Sequence, residues 1–366
     1  MTHLLAGLRL GHWRIEKRTQ VSWAVRLLAI VTAVLAAFLV SAILILVAGA
    51  DVGDAFVALF GGAFGGRRAI LETLVRATPL IFTGLAAALA FRGKVWNIGA
   101  EGQLYAGAMA AYWASTFAIG LPRLPLILVI LVFAFLGGAV WSWIAGYLKV
   151  RFNVDEIIST VMLNYVVAYL LSFMLSGVGP WREAGSYYQQ TARIPEAAHM
   201  PLLFSGARLN VAFVLALLAA IAVYLLLQKT PLGYEIRALG SNPRASKFKG
   251  TNVSRVVMII MMLSGGLAGL AGAGELFGVH HRLKLGISDG LGYTGIIVAM
   301  LAALDPIGVV VAAILFGALY NGAFRLNILT EVPTAFVSAI QAIVLLFVLG
   351  ATVLANYRIR RVRIAD

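Results

Sequence analysis

The sequence predicts an all-α, polytopic membrane protein of about ten transmembrane helices, some of them discontinuous. Three observations lead there: an apolar composition, apolar runs long enough to cross a bilayer, and basic residues gathered between alternate runs. Of 366 residues, 61% are hydrophobic and 12% charged, and the mean hydropathy is +0.93. Soluble domains run at roughly 45–50% apolar and roughly 25% charged.

The elements follow in order. A polar head, residues 1–23, carries Arg9, Arg14, Lys17 and Arg18. The run 24–50 behind it exceeds a signal-peptide core of roughly 7–15 residues and lacks a small-residue cleavage site, so it reads as a retained first span. Further spans are expected at 70–91, 95–119, 124–148, 157–176, 209–227, 256–277, 291–304, 307–327 and 334–354, each set against about 30 Å of hydrocarbon. The eighth is short enough to suggest a broken helix, and Pro79 predicts a kink in the second. Charge orients the set. Arg92 and Lys94, then Lys149 and Arg151, then a large basic loop and the tail Arg358, Arg360, Arg361 and Arg363 fall on one side, which the positive-inside rule makes cytoplasmic. Both termini are expected there, with a transmembrane domain over 24–354 and a basic tail over 355–366.

The basic loop, 229–255, reads KTPLGYEIRALGSNPRASKFKGTNVSR and holds six Lys/Arg residues that no span could accommodate. Residues 234–239 suit a short helix ended by Gly240, and SNPRAS offers an Asn-Pro turn that starts a second. A loop merely solvated by its charges is the plain alternative to a docking surface. On the other side, 177–208 contains WREAGSYYQQTARIPEAAHMP, which reads equally as a solvated loop or as a face for an external partner. Small residues repeat every three or four positions in GGLAGLAGAGELFG, residues 265–278, a pattern that serves close helix packing in lipid.

Several function classes fall away. The net charge of +14 sits in short loops and reads as topology, not as a nucleic-acid face. The chain has no cysteine, which removes thiolate metal sites and cysteine nucleophiles, and its five histidines, with only His280 and His281 adjacent, give no metal pattern. GISDG, residues 286–290, matches a nucleophile-elbow string around Ser288, but no strand-turn-helix context surrounds it. LSGG at 263–266 lies inside an apolar span, and neither a phosphate-binding loop nor H-E-x-x-H is present. If ATP drives this protein, another chain must hold it.

Polar residues at membrane depth remain, and depth makes them functional candidates. Asn97, Glu101 and Gln103 stand among Gly and Ala at the start of the third run. They read either as a broken helix that offers freed backbone to a solute or as a Glu101 that merely caps a span. Asp155 and Glu156 open the fifth run, with Asn164 and Tyr165 inside it; Asp289, Tyr293 and Thr294 precede the short eighth.

Four segments carry a resemblance: ETLVRATPLIFTGLAAALAFRGKVWNIGAEGQL (72–104), DEIISTVMLNYV (155–166), PLGYEIRALGSNPRASKFKG (231–250) and GYTGIIVAMLAALDPIGV (292–309). In order along most of 71–350, the chain resembles the inner-membrane permease of bacterial nucleoside ABC importers, within the ribose and branched-chain amino-acid permease group. The resemblance implies a cytoplasmic ABC ATPase that holds ATP and Mg, a second related permease and an external substrate-binding lipoprotein, with no cofactor on this chain. It further implies that Gly233, Tyr234, Glu235, Arg237, Ala238, Asn242, Pro243 and Ala245 form the face coupled to the ATPase. Asn97, Glu101, Asn164 and Tyr293 would line the path, to which polarity and depth add Gln103, Tyr165 and Thr294. The expectation is a transport subunit, not an enzyme, moving a nucleoside. A ribose-type sugar, an ion-coupled carrier using Glu101 as relay, or an enzyme using Ser288 are the alternatives.

Overall fold

The structure is a computed structural model. It describes residues 9–10, 13–17, 22–47, 49, 51–330, 339–340, 342–344, 346–347, 350–351, 354 and 357–361. The chain divides into two units, residues 1–59 with 323–366 and residues 60–322.

In the first unit, helix α1 (Trp23–Val47) buries Ala33, Ala37, Ser41 and Ile45, four residues apart, and exposes Leu35, Leu39 and Ile43. That is one packed stripe of small residues on a helix otherwise turned to lipid. The all-α expectation has one departure. Strands β1 (Arg9–Leu10) and β2 (Trp13–Lys17) form a small antiparallel sheet with β3 (Tyr357–Arg361), in the order β1-β2-β3. The head and the basic tail, expected as separate segments, thus pair with each other, with Ile15 opposite Ile359. The described residues between 339 and 354 are helical; the rest of the expected tenth span lies outside the described residues.

Helix α2 (Val52–Phe64) occupies a stretch for which no helix was expected. The second unit then holds α3 (Arg67–Arg92), α4 (Ala100–Phe117), α5 (Arg123–Phe152), α6 (Glu156–Met174), α7 (Val211–Lys229), α8 (Pro231–Ser241), α9 (Pro243–Phe248), α10 (Val253–Glu275), α11 (Leu291–Leu301) and most of α12 (Pro306–Thr330). Among the described residues six helices are long and apolar enough to span, α3, α5, α6, α7, α12 and α10 extended to His280. Buried shares of 89% for α3 and 72% for α10, against 28% for α6 and α7, put α3 and α10 at the centre and the others toward lipid. The small-residue stripe explains how. A Cβ on Gly269 would run into the Ala134 carbonyl of α5, one on Gly272 into the Leu104 carbonyl of α4, and one on Gly265 into the Gly138 carbonyl. Backbones meet where no side chain intervenes.

Two expected spans are shorter than the sequence suggested. The third starts at Ala100, because residues 93–99 are not helical. The eighth is α11 alone, 11 residues or about 16 Å, closed by left-handed Ala303 and Leu304. The second span, α3, continues through Pro79.

Candidate functional site

Depth along α3 can be counted from its ends at about 1.5 Å per residue. Thr83 lies nine residues from Arg92, and its hydroxyl reaches the Leu291 carbonyl (3.1 Å). At the other end of α11, the Arg92 guanidinium donates to the Leu304 carbonyl (3.1 Å). Helix α11 therefore covers only half the depth, with its N-terminus about 13 Å inside. Residues 93–99 climb beside it and start α4 at a similar level. There Glu101, 9% exposed, accepts from the Gly290 amide (3.2 Å) and the Gly292 amide (2.8 Å). Glu101 does cap a helix, but the helix is α11 and not its own. Two broken helices meet with their amide ends on one carboxylate, where the dipoles favour negative charge. Gly292 permits this, since a Cβ there would overlap the Glu101 backbone.

The neighbouring amides are fully used. Asn97 donates to Gln103 (2.9 Å) and Ser264 (2.8 Å), and accepts from the Gly99 amide (2.9 Å) and from Gln103 (2.8 Å). The Ser264 hydroxyl donates to the Ala86 carbonyl (2.8 Å). Asn164 of α6 accepts from the Gly102 amide (2.9 Å) and donates to the Ile98 carbonyl (3.2 Å) and the Tyr293 hydroxyl (3.1 Å). Thr294 pairs with Tyr320 of α12 (3.1 Å). The structure so brings together Asn97, Glu101, Gln103, Asn164, Tyr293 and Thr294, while Tyr165, beside Asn164 on α6, is 56% exposed. Asp155 caps α6 through the amides of Ile157 (2.8 Å) and Ile158 (3.3 Å), and Glu156 pairs with Lys149.

Beside this cluster is a cavity of about 220 Å³, lined by residues that include Arg76, Glu275, His280, Lys284, Ser288, Asp289 and Tyr320. Its making is local. Residues 276–280 form a π-turn, whose five-residue repeat brings His280 opposite Glu275 (3.3 Å); in an α-helix they would point apart. Asp289 (φ 46°) and Gly290 (φ 83°) are left-handed and turn the 282–290 chain into α11. The sequence reading missed Arg76, Glu275, His280 and Tyr320. A lone charge inside an apolar run, as in LVRATPL or GAGELFG, was the available signal.

The large loop is two helices. Thr230 caps α8 by accepting from the Gly233 amide (3.1 Å), and Asn242 caps α9 by accepting from the amides of Arg244 and Ala245 (3.1 Å each). Gly240 does not end the first helix, which runs on to Ser241; it is small because the Arg92 carbonyl crosses there. Gly233 is likewise buried against the α7 backbone. Tyr234, Asn242, Pro243, Arg244 and Ala245 are exposed, Glu235, Arg237 and Ala238 half-buried. Lys249 donates to the Tyr234 hydroxyl (2.6 Å).

On the opposite side, 177–208 is sewn to the end of α10. Thr191 exchanges backbone and side-chain bonds with Leu283 (2.9 and 3.0 Å), Met200 donates to the Phe277 carbonyl (3.0 Å), and Arg282 pairs with Glu183, holding that carboxyl below its usual range. His281, just past the π-turn, stacks on His199 with centroids 3.8 Å apart. Burial, then the charges of His199, Arg193 and His280, lowers its pKa to about 4.

The guanosine ABC transporter permease protein NupP of Bacillus subtilis is 37% identical over 328 residues, 88% of this chain and 92% of its own length. The nucleoside ABC transporter permease protein NupB of Lactococcus lactis is 32% identical, covering 86% and 88%. The glucose ABC transporter permease protein TsgB13 of Haloferax volcanii is 32% identical, covering 94% and 92%. Residues 69–349 match the family described as the permease component of the branched-chain amino acid transport system, and to that family of ABC permeases, transport subunits and not enzymes, the chain belongs.

Proposed function

We propose that this chain is one of two permease subunits in an ATP-driven importer of nucleosides, set in a bacterial inner membrane with both termini cytoplasmic and ten crossings. The observation that carries the coupling is the pair α8–α9, a capped, exposed and basic element on an otherwise apolar chain. Its face, Tyr234, Glu235, Arg237, Ala238, Asn242, Pro243 and Ala245, docks on a cytoplasmic ABC ATPase, which holds ATP and Mg; this chain holds no cofactor. Because Gly240 lies against Arg92, a push on α8 is passed directly to the start of the 93–99 segment. The path for solute runs past α4, α6 and α11, with Tyr165 in its wall, Glu101, Asn164, Tyr293 and Thr294 around the helix breaks, and Asn97 and Gln103 holding the α4 break from behind. The external loop, with Tyr187 and Tyr188 exposed, receives the binding lipoprotein.

Relatives named for guanosine and nucleosides support that cargo, and the relative named for glucose supports a sugar as the second reading. Cells lacking the gene, with and without restoration, are given labelled guanosine or ribose before and after ATP depletion. Gene- and ATP-dependent guanosine uptake that ribose does not compete is expected, and Ala245→Arg, at an exposed position, abolishes it without lowering membrane abundance. Ribose uptake would change the cargo. Uptake that survives ATP depletion but not collapse of the ion gradient would overturn the importer.

A further inference from the structure

The 220 Å³ cavity holds four charged side chains, two cations (Arg76, Lys284) and two carboxylates (Glu275, Asp289), with Ser288 and Tyr320. Arg76, Lys284 and Asp289 make no side-chain hydrogen bond or ion pair among the described residues. Arg76 lies nine residues, about 13 Å, inside α3. Arg76 and Lys284 are half-buried and Asp289 is exposed, so Arg76, set inside a span, is the charge whose cost a solute or water offsets. The geometry is held from behind: Glu101 pins Gly290 and Gly292, Thr294 holds Tyr320, and the π-turn presents Glu275.

The lining chemistry names the ligand group. The volume is below the roughly 300 Å³ at which pockets begin to enclose a whole drug-sized ligand, so one ring of a two-ring solute fits. The cations and carboxylates balance, and Glu101 stands behind them, which disfavours an anionic ligand such as a phosphate ester. A carboxylate is acceptor-only and takes two donors at once, whereas guanidinium donates in a fixed fork. A vicinal diol on a neutral ring supplies two donors and two acceptors. It is also the group that a nucleoside and a simple sugar share.

We propose that this cavity is the solute-reading site of the permease, in which Asp289 and Glu275 accept from the vicinal hydroxyls of a ribose-like ring and Arg76 donates to its oxygens. The GISDG loop is then a recognition loop, and Ser288 a polar wall of the site. This rests on the importer reading above. The test uses the whole complex in liposomes, saturated with labelled guanosine or labelled 2′-deoxyguanosine so that the external binding subunit is loaded in either case. Wild type moves guanosine about tenfold faster, the difference expected when a charged acceptor loses its donor. Asp289→Asn and Glu275→Gln each slow guanosine about tenfold; the one whose acceptor meets the 2′-hydroxyl brings the guanosine and deoxyguanosine rates together, the one that meets the 3′-hydroxyl slows both solutes alike, and Asp289→Glu recovers part of its loss. Asn suits the left-handed backbone at 289, and membrane abundance with thermal stability confirms that both variants fold. Equal wild-type rates, or a ratio unchanged in both variants, would overturn the site. Absence of ATP-dependent uptake of either solute by wild type would instead overturn the importer.

Discussion

The α3–α4 break and the neighbouring cavity are both polar regions of an apolar protein, yet they are built on opposite principles. At the break, Asn97, Gln103, Ser264 and Asn164 are at most 5% exposed and saturate one another and the surrounding backbone. In the cavity, Arg76, Lys284 and Asp289 have no such partners among the described residues. Depth and polarity alone do not distinguish scaffold from site. Hydrogen-bond accounting does: a saturated cluster fixes where a helix breaks, and an unsaturated one is arranged for something that arrives.

The sharpest way to break this comparison is Asn97→Leu. It strands Gln103, Ser264 and the Gly99 amide in a dry interior, at about 1–3 kcal/mol for each group left unpaired. The expected result is a loss of about 3 kcal/mol or more of stability in detergent-solubilised protein, read as a lowered melting temperature, with the KM of the surviving protein unchanged. Adding Gln103→Leu removes the main stranded partner, so the double variant loses less than the sum of the two single losses. A raised KM with unchanged stability would move the solute to Asn97 and erase the distinction.

Glu101 sits between the two regions, and its variant is of intermediate size. Glu101→Gln keeps the shape and one acceptor but turns a donor toward one of the α11 amides and removes the charge from two helix ends. About 1–2 kcal/mol of stability is expected to go, together with part of the guanosine preference, since Gly290 borders the recognition loop. Uptake that becomes independent of an imposed proton gradient only in this variant would favour Glu101 as an ion relay and not as a clamp.

Much of this was legible in the sequence, for physical reasons. Charge between apolar runs marked the loop that folds as α8–α9, and Asn242-Pro243 marked the start of its second helix, because capping and turn chemistry are local. The polar string from Asn97 to Gln103 marked a helix break for the same reason. What escaped was assembled from a distance. The cavity draws on positions 76, 275, 280, 284, 289 and 320, each a single polar residue in a run that otherwise packs helices. Glu275 is hidden in a stripe whose glycines are needed by α4 and α5, and no periodicity announces a π-turn. The pairing of Trp13–Lys17 with Tyr357–Arg361 joins the two ends of the chain, beyond the reach of any local pattern.

The smallest expected effect separates the regions by pH. His281 is held neutral by burial and by the charges of His199, Arg193 and His280, with its pKa lowered to about 4 from 6.5. A group whose pKa falls on folding favours the folded corner fully above its unfolded value, and that contribution is lost as the pH drops from about 6.5 toward about 4. Acidification from about pH 7.5 to about pH 5 should therefore loosen the contacts that His281 anchors, among them the bond from the Ile194 amide to the His281 carbonyl (2.9 Å). Hydrogen exchange corrected for intrinsic rates should quicken in 191–200 and 277–284 and stay unchanged at the Gly99 amide, which the Asn97 side chain holds. His281→Phe keeps the stack on His199 and removes the titration, so the pH difference should vanish. Equal exchange at both pH values in wild type would show that the mouth of the cavity is as firmly closed as the saturated cluster beneath it.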